Sequence, residues 1–137
     1  MNRRHFLATT AAVTAFPLAS FASEFIAYQD GFIKQALADG KTVFVDYATD
    51  WCSTCAAQER MIERLRGENP DYDKHITFVR VDYDQFGNAP VSTDRGIPRR
   101  STLIVLKGDD ELGRVVAAAS HRMIKALLDA GLNAATS

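Results

Sequence analysis

The chain has 137 residues, 47 % hydrophobic and 24 % charged, a balance that excludes a disordered or fibrous protein and fits one globular core. A formal net charge of −1 gives no electrostatic basis for binding nucleic acid. Two cysteines, three positions apart, are too few and too close to staple a small domain, because so short a loop barely restricts the unfolded chain.

The first segment reads as an export signal. Arg3 and Arg4 precede an apolar, alanine-rich run from Phe6 to Phe21, and the small-residue pattern Ser20-Phe21-Ala22 follows. Thr9, Thr10, Thr14 and Pro17 interrupt the run, and at roughly 15 residues it falls short of the ~20 that span a bilayer, so no stable membrane anchor is expected after cleavage. Asn2-Arg3-Arg4-His5-Phe6-Leu7 resembles the twin-arginine export signal, which implies delivery of an already folded protein to the periplasm. Cleavage after Ala22 separates a signal peptide, residues 1–22, from a domain of residues 23–137 with 14 basic and 17 acidic side chains, net −3.

Phe25, Phe32, Ile33, Ala36 and Leu37 have the spacing of an amphipathic helix over 25–39 that ends at Gly40. Thr42 to Tyr47, β-branched and aromatic, predict a buried strand. Ala56, Ala57, Met61, Ile62 and Leu65 place a helix over 52–66, with Gly67 and Pro70 as the stop. A strand follows at Ile76 to Val81, then a polar stretch with room for a short helix up to Arg95. Two runs, Thr102 to Leu106 and Leu112 to Ala117, flank Gly108-Asp109-Asp110 and predict a hairpin. Ser120 caps a last helix carrying Met123, Ile124, Leu127, Leu128 and Leu132. This order predicts an α/β fold: a central mixed sheet of about four strands flanked by helices on both faces.

The chemistry sits where the second helix begins. A thiol at a helix amino end faces unpaired N–H groups and the positive end of the helix dipole. That field, up to ~2 kcal/mol, lowers a thiol from about 8.5 to roughly 7. Cys52 is therefore assigned as the exposed attacking thiol. Cys55, one turn later on the same face with Cβ atoms roughly 5 to 6 Å apart, is the more buried resolving thiol. Asp46 lies in an apolar strand on the face of Phe44 and Ala48, and burial there would raise its pKa until it accepts a proton near neutrality.

From about residue 25 to 133 the sequence resembles the thioredoxin superfamily. The resemblance is anchored by Val43-Phe44-Val45-Asp46-Tyr47-Ala48-Thr49-Asp50-Trp51-Cys52-Ser53-Thr54-Cys55: a strand, an acid six positions before the first cysteine, and a tryptophan immediately before it. It implies a thioredoxin-like fold and a protein thiol–disulfide oxidoreductase, more a reductase than an oxidase, whose only redox group is the Cys52–Cys55 disulfide. It further implies that Asp46 helps to deprotonate Cys55 and that Trp51 packs the active-site loop. Partner-contacting residues are expected to be Trp51, Arg100, Ser101 and Thr102.

Thioredoxins place a cis-proline before a strand, facing the cysteines. Ile97-Pro98 offers one candidate, but ungapped registration of Gly96-Ile97 with Thr102 to Lys107 puts Ser101 there instead. Loss of that proline keeps open a different reading, a copper, zinc or iron–sulfur protein using the same cysteines. Two cysteines supply half a tetrahedral site, and neither His75 nor His121 stands at metal spacing from them, so no metal is predicted. The expected partners are proteins with thiols or disulfides and a membrane electron donor or acceptor, with the chain itself a monomer.

Overall fold

Apolar residues alternating with period two give one sheet two cores. The computed structural model describes residues 24–137, and the export signal expected in residues 1–22 lies outside them. In chain order the elements are β1 (Ile26–Ala27), α1 (Phe32–Ala38), β2 (Thr42–Ala48), α2 (Ser53–Glu68), α3 (Asp71–His75), β3 (Ile76–Asp82), α4 (Tyr83–Phe86), α5 (Pro90–Thr93), β4 (Thr102–Lys107), β5 (Asp110–Val116) and α6 (His121–Thr136). The strands lie in the order β1-β3-β2-β4-β5. The first three are parallel, β4 runs against them, and β5 runs against β4.

On one face Phe44, Phe78, Leu103, Val105 and Val115 pack under Ile62 and Leu65 of α2 and Ile124, Leu127 and Leu128 of α6. On the other, Val43, Val45, Tyr47, Val79, Val81 and Ile104 pack under Ile33 and Ala36 of α1. All seven residues of β2 are buried, which is why its sequence is almost continuously apolar. Gly131 lets α6 approach β4: a Cβ there would stand 3.0 Å from Val105 Cγ1. Arg66, 3 % exposed, lies with its guanidinium 4.0 Å from the Phe78 ring centroid and pairs with Asp73, tying α2 to α3.

The predicted mixed sheet with helices on both faces is present, with five strands rather than about four. The fifth, β1, arises where a longer first helix was expected. Ile26 and Ala27 pair with Val79 and Arg80, and Gly31 at φ +84° delays the helix to Phe32. The second helix runs through Gly67 to Glu68. Pro70 stops it by holding Asn69 in an extended conformation (φ −135°, ψ 101°). The polar stretch before Arg95 holds two short helices rather than one, and α3 has no counterpart in the apolar pattern. Ser120 does cap α6, its side chain accepting from the Met123 N–H at 3.4 Å, while Met123 itself is 45 % exposed and outside the buried stripe.

Candidate active site

Three pieces of chain converge at the carboxyl end of β2: the strand itself, the amino end of α2, and the loop before β4. Cys52 is the N-cap of α2, in an extended conformation (φ −88°, ψ 116°), and its Sγ accepts from the Cys55 N–H at 3.2 Å. A sulfur thus fills the capping role that a hydroxyl or carboxylate usually takes. Both cysteines are free thiols. Cys52 is 6 % exposed and Cys55 2 %. The expected order of exposure holds, but Cys52 is far less open than expected, because Ala48 and Cys55 pack against it and Ser101 closes over both sulfurs.

Desolvation pushes the Cys52 thiol up, but hydrogen bonds outweigh it: the Cys55 side chain, the Ser101 hydroxyl, the Cys55 N–H and the Arg100 side chain together bring it down to about 6. The dominant influences are specific donors rather than the helix dipole alone, which is why the value falls below the roughly 7 expected from the dipole. Cys55 moves the opposite way, raised first by burial and then by its hydrogen bond to Cys52. The pair is thereby polarised into one thiolate and one thiol.

Asp46 is 0 % exposed, and neither carboxylate oxygen has a hydrogen-bond partner among the described residues. Desolvation lifts its pKa to about 7, against the pull of Arg80, which stands directly opposite on β3. Asp50, by contrast, projects into solvent and pairs with Arg80 at 3.1 Å.

The loop before β4 is held in an unusual shape. Ser101 has φ +62°, its N–H donates to Tyr47 O at 2.8 Å, and its carbonyl accepts from Ala117 N at 2.8 Å and Gln58 Nε2 at 3.0 Å. Its Oγ lies 3.1 Å from Cys52 Sγ and 3.1 Å from Cys55 Sγ. Ser101, not Pro98, therefore meets the sulfurs, and every peptide bond among the described residues is trans.

Ser101 and Thr102, expected to touch a partner, are 0 % exposed, and the Thr102 hydroxyl donates to Arg99 O at 2.7 Å. Both support the surface from behind rather than forming it. The surface is made by Trp51, 62 % exposed, with the Arg100 guanidinium 4.2 Å from its ring centroid and its Nε1 donating to Asp84 Oδ2 at 2.8 Å. Trp51 is thus a braced surface ring rather than a core aromatic. Arg99, half-buried, turns back to donate to Arg100 O at 3.1 Å.

Gln58 and Asp84 went unnoticed in the sequence. Gln58 is 0 % exposed, and its Nε2 also donates to Ala118 O at 3.0 Å. Its signal was available: Cys55, Gln58, Ile62 and Leu65 share the buried stripe of α2, and a polar residue on such a stripe needs a buried partner. Asp84 had no local signal. Among the described residues no group of three or more His, Cys, Asp or Glu side chains is placed to hold a metal ion, and His75 and His121 are both exposed.

A thioredoxin-like α/β fold with a polarised dithiol at a helix amino end and a buried carboxyl behind it defines a protein thiol–disulfide oxidoreductase. The thioredoxin family profile matches residues 24–130. Thioredoxin H2-1 of rice is 26 % identical over 87 residues, 64 % of this chain and 59 % of the rice protein. Thioredoxin-1 of Saccharomyces cerevisiae is 31 % identical over 83 residues, 61 % of this chain and 75 % of the yeast protein. The crystal structure of Trxlp from Edwardsiella tarda superposes with a TM-score of 0.63 at 29 % identity, covering 77 % of this chain and 96 % of that one. The chain belongs to the thioredoxin family.

Proposed function

We propose that this protein is an exported thiol–disulfide reductase that works in the periplasm after twin-arginine transport. In this reading it acts as a monomer on disulfide-bearing proteins, and a membrane electron donor keeps it reduced. The observation that carries the reading is the Cys52 sulfur, which accepts from the Cys55 N–H and lies 3.1 Å from a hydroxyl, donors that help to bring its thiol down to about 6. Cys52 attacks a partner's disulfide, forming a mixed disulfide and releasing one partner thiolate. Cys55 then gives up its proton to Asp46 and attacks Cys52 Sγ, releasing the second thiolate. Two electrons pass from the dithiol to the partner, and the protein is left with a Cys52–Cys55 disulfide. Trp51 and Arg100 form the surface against which the partner's chain lies. Export rests on Arg3, Arg4 and the apolar run that follows.

Cys55→Ser removes the resolving step and is expected to trap mixed disulfides. Expressed as the full chain in a bacterium and recovered from the periplasm, it should carry covalently bound proteins that dithiothreitol releases. Recovery of the variant in the cytoplasm alone refutes the location, and an unmodified Cys52 in the periplasmic fraction refutes the activity.

Direction of flow is decided by the reduction potential of the pair. Pairs of this type range from about −270 to −120 mV. Stabilising the Cys52 thiolate favours the dithiol form and draws the potential up from the reducing extreme, so roughly −200 to −250 mV is expected against glutathione buffers. A value near −120 mV would make the protein a donor of disulfides.

A further inference from the structure

Ser101 occupies a position that its own backbone makes costly. A φ of +62° is a left-handed conformation that glycine adopts freely and that an L side chain adopts at a price. Proline, fixed near −65°, is incompatible with it. Three hydrogen bonds hold the residue there: its N–H to Tyr47 O, and its carbonyl from Ala117 N and from Gln58 Nε2. What this arrangement achieves is the placement of one buried hydroxyl at 3.1 Å from each of the two reacting sulfurs.

A serine hydroxyl carries one proton and can accept another. Between a thiolate and a thiol the hydroxyl proton goes to the thiolate: Ser101 O–H donates to the Cys52 sulfur, alongside the Cys55 side chain, while Ser101 Oγ stays within reach of Cys55 Sγ. Once Cys52 is bonded to a partner's sulfur, it is neutral and a poor acceptor. Cys55 must then ionise, in surroundings that disfavour a buried charge.

We propose that Ser101 is a catalytic residue whose single hydroxyl proton serves the two sulfurs in turn, donating to Cys52 before the first attack and rotating to donate to Cys55 before the second. This rests on the exchange reaction proposed above. The heavy atoms need not move, because Oγ is equidistant from both sulfurs and only the O–H bond turns. Gln58 is the positioning residue, fixing the Ser101 carbonyl and with it the loop. The other charged groups acting on this cluster are Arg100 on the Cys52 side, Asp46 from β2, and Arg80 and Glu59, which act on Asp46.

The test is Ser101→Gly, which keeps the +62° backbone without strain and removes only the hydroxymethyl group. The probe is a symmetrical aromatic disulfide, dithiobis(nitrobenzoate), mixed with the reduced full-length protein in a stopped-flow instrument. Cys52 attack breaks the aromatic disulfide and expels one coloured thiolate. Cys55 attack on the resulting mixed disulfide expels a second and closes the Cys52–Cys55 bond. The two phases therefore report the two roles separately.

For Ser101→Gly the midpoint of the first phase is expected to rise by about one pH unit, so the rate at pH 6 falls severalfold, and the second phase at pH 7 slows about tenfold. Repeating the comparison in an Asp46→Asn background keeps the carboxyl's titration out of the profile. Ser101→Ala, also lacking the hydroxyl, should slow the same two phases and serves if the glycine variant does not fold. A variant that folds and slows only one phase, or neither, overturns the alternating donor while leaving the exchange reaction intact. Release of a single thiolate by the wild-type protein overturns both.

Discussion

Replacing Cys52 with serine is expected to bring reduction of insulin disulfides, driven by dithiothreitol, down to the uncatalysed rate, a loss on the order of 10³-fold or more. The hydroxyl of serine remains protonated where the thiol is ionised, so the cap of α2 survives while the nucleophile does not. Cys55 cannot substitute. It is 2 % exposed, and its thiol is raised by burial and by its bond to Cys52, which leaves little thiolate at neutral pH. The wild-type protein should be alkylated at Cys52 with a rate that climbs with pH and levels off above a midpoint near 6. The sign follows from the reacting form: the thiolate attacks, and a thiol brought down to about 6 is already largely thiolate at pH 7. Persistent disulfide reduction by Cys52→Ser would transfer the nucleophile to Cys55 and reverse the order of the two steps.

Much of this site was legible in the sequence because its parts obey local rules. The alternation of β2 fixes which way Asp46 points, and the apolar surroundings of that face fix its burial. Helical spacing puts Cys52 and Cys55 one turn apart at an amino end, and the cap geometry follows. The long-range contacts were a different matter. That Ser101 rather than Pro98 meets the sulfurs followed from registration, but its +62° backbone and its contact with both sulfurs depend on Tyr47, Ala117 and Gln58, which are remote in sequence. The exposure of Cys52 was misjudged for the same reason, since the residue covering it lies 49 positions away. Thr102 was expected to touch a partner because the thioredoxin resemblance places the loop before β4 beside the cysteines. Here the strand begins at Thr102, and its hydroxyl is turned inward to the Arg99 carbonyl.

The fold shows the same division. Period-two and helical patterns located the four long strands and the three main helices. β1 is two residues long, too short for any pattern, and exists only because β3 has a free edge for Ile26 and Ala27 to join. Gly67 does not end α2, since a glycine inside a helix costs about 1 kcal/mol, whereas a proline restricts the residue before it outright.

Asp46→Asn is expected to make the protein more stable at pH 8 and a poorer catalyst. The folded carboxyl keeps its proton up to about pH 7, whereas in the unfolded chain it ionises near 3.8. Between those values the folded state binds more protons, so stability falls as pH rises through the window and the full cost is present above pH 7. Moving a carboxyl from 3.8 to about 7 corresponds to roughly 4 kcal/mol against the charged form. The amide removes that charge but is itself a buried polar group, so a net gain on the order of 2 kcal/mol at pH 8 is expected. Near pH 4, where the folded carboxyl is neutral and the charge cost is largely absent, the buried amide should leave the variant about 2 kcal/mol less stable than the wild type. Exchange should move the other way. Without a buried base to take the Cys55 proton, the second thiolate release is expected to slow by about 10- to 100-fold at pH 7, with the first little changed. Denaturant titrations at pH 4 and pH 8, paired with the two-phase release assay, read both effects on the same samples. Equal pH dependence of stability in the two proteins would mean that the carboxyl does not titrate in this range, and the proton would then have to leave Cys55 by another route.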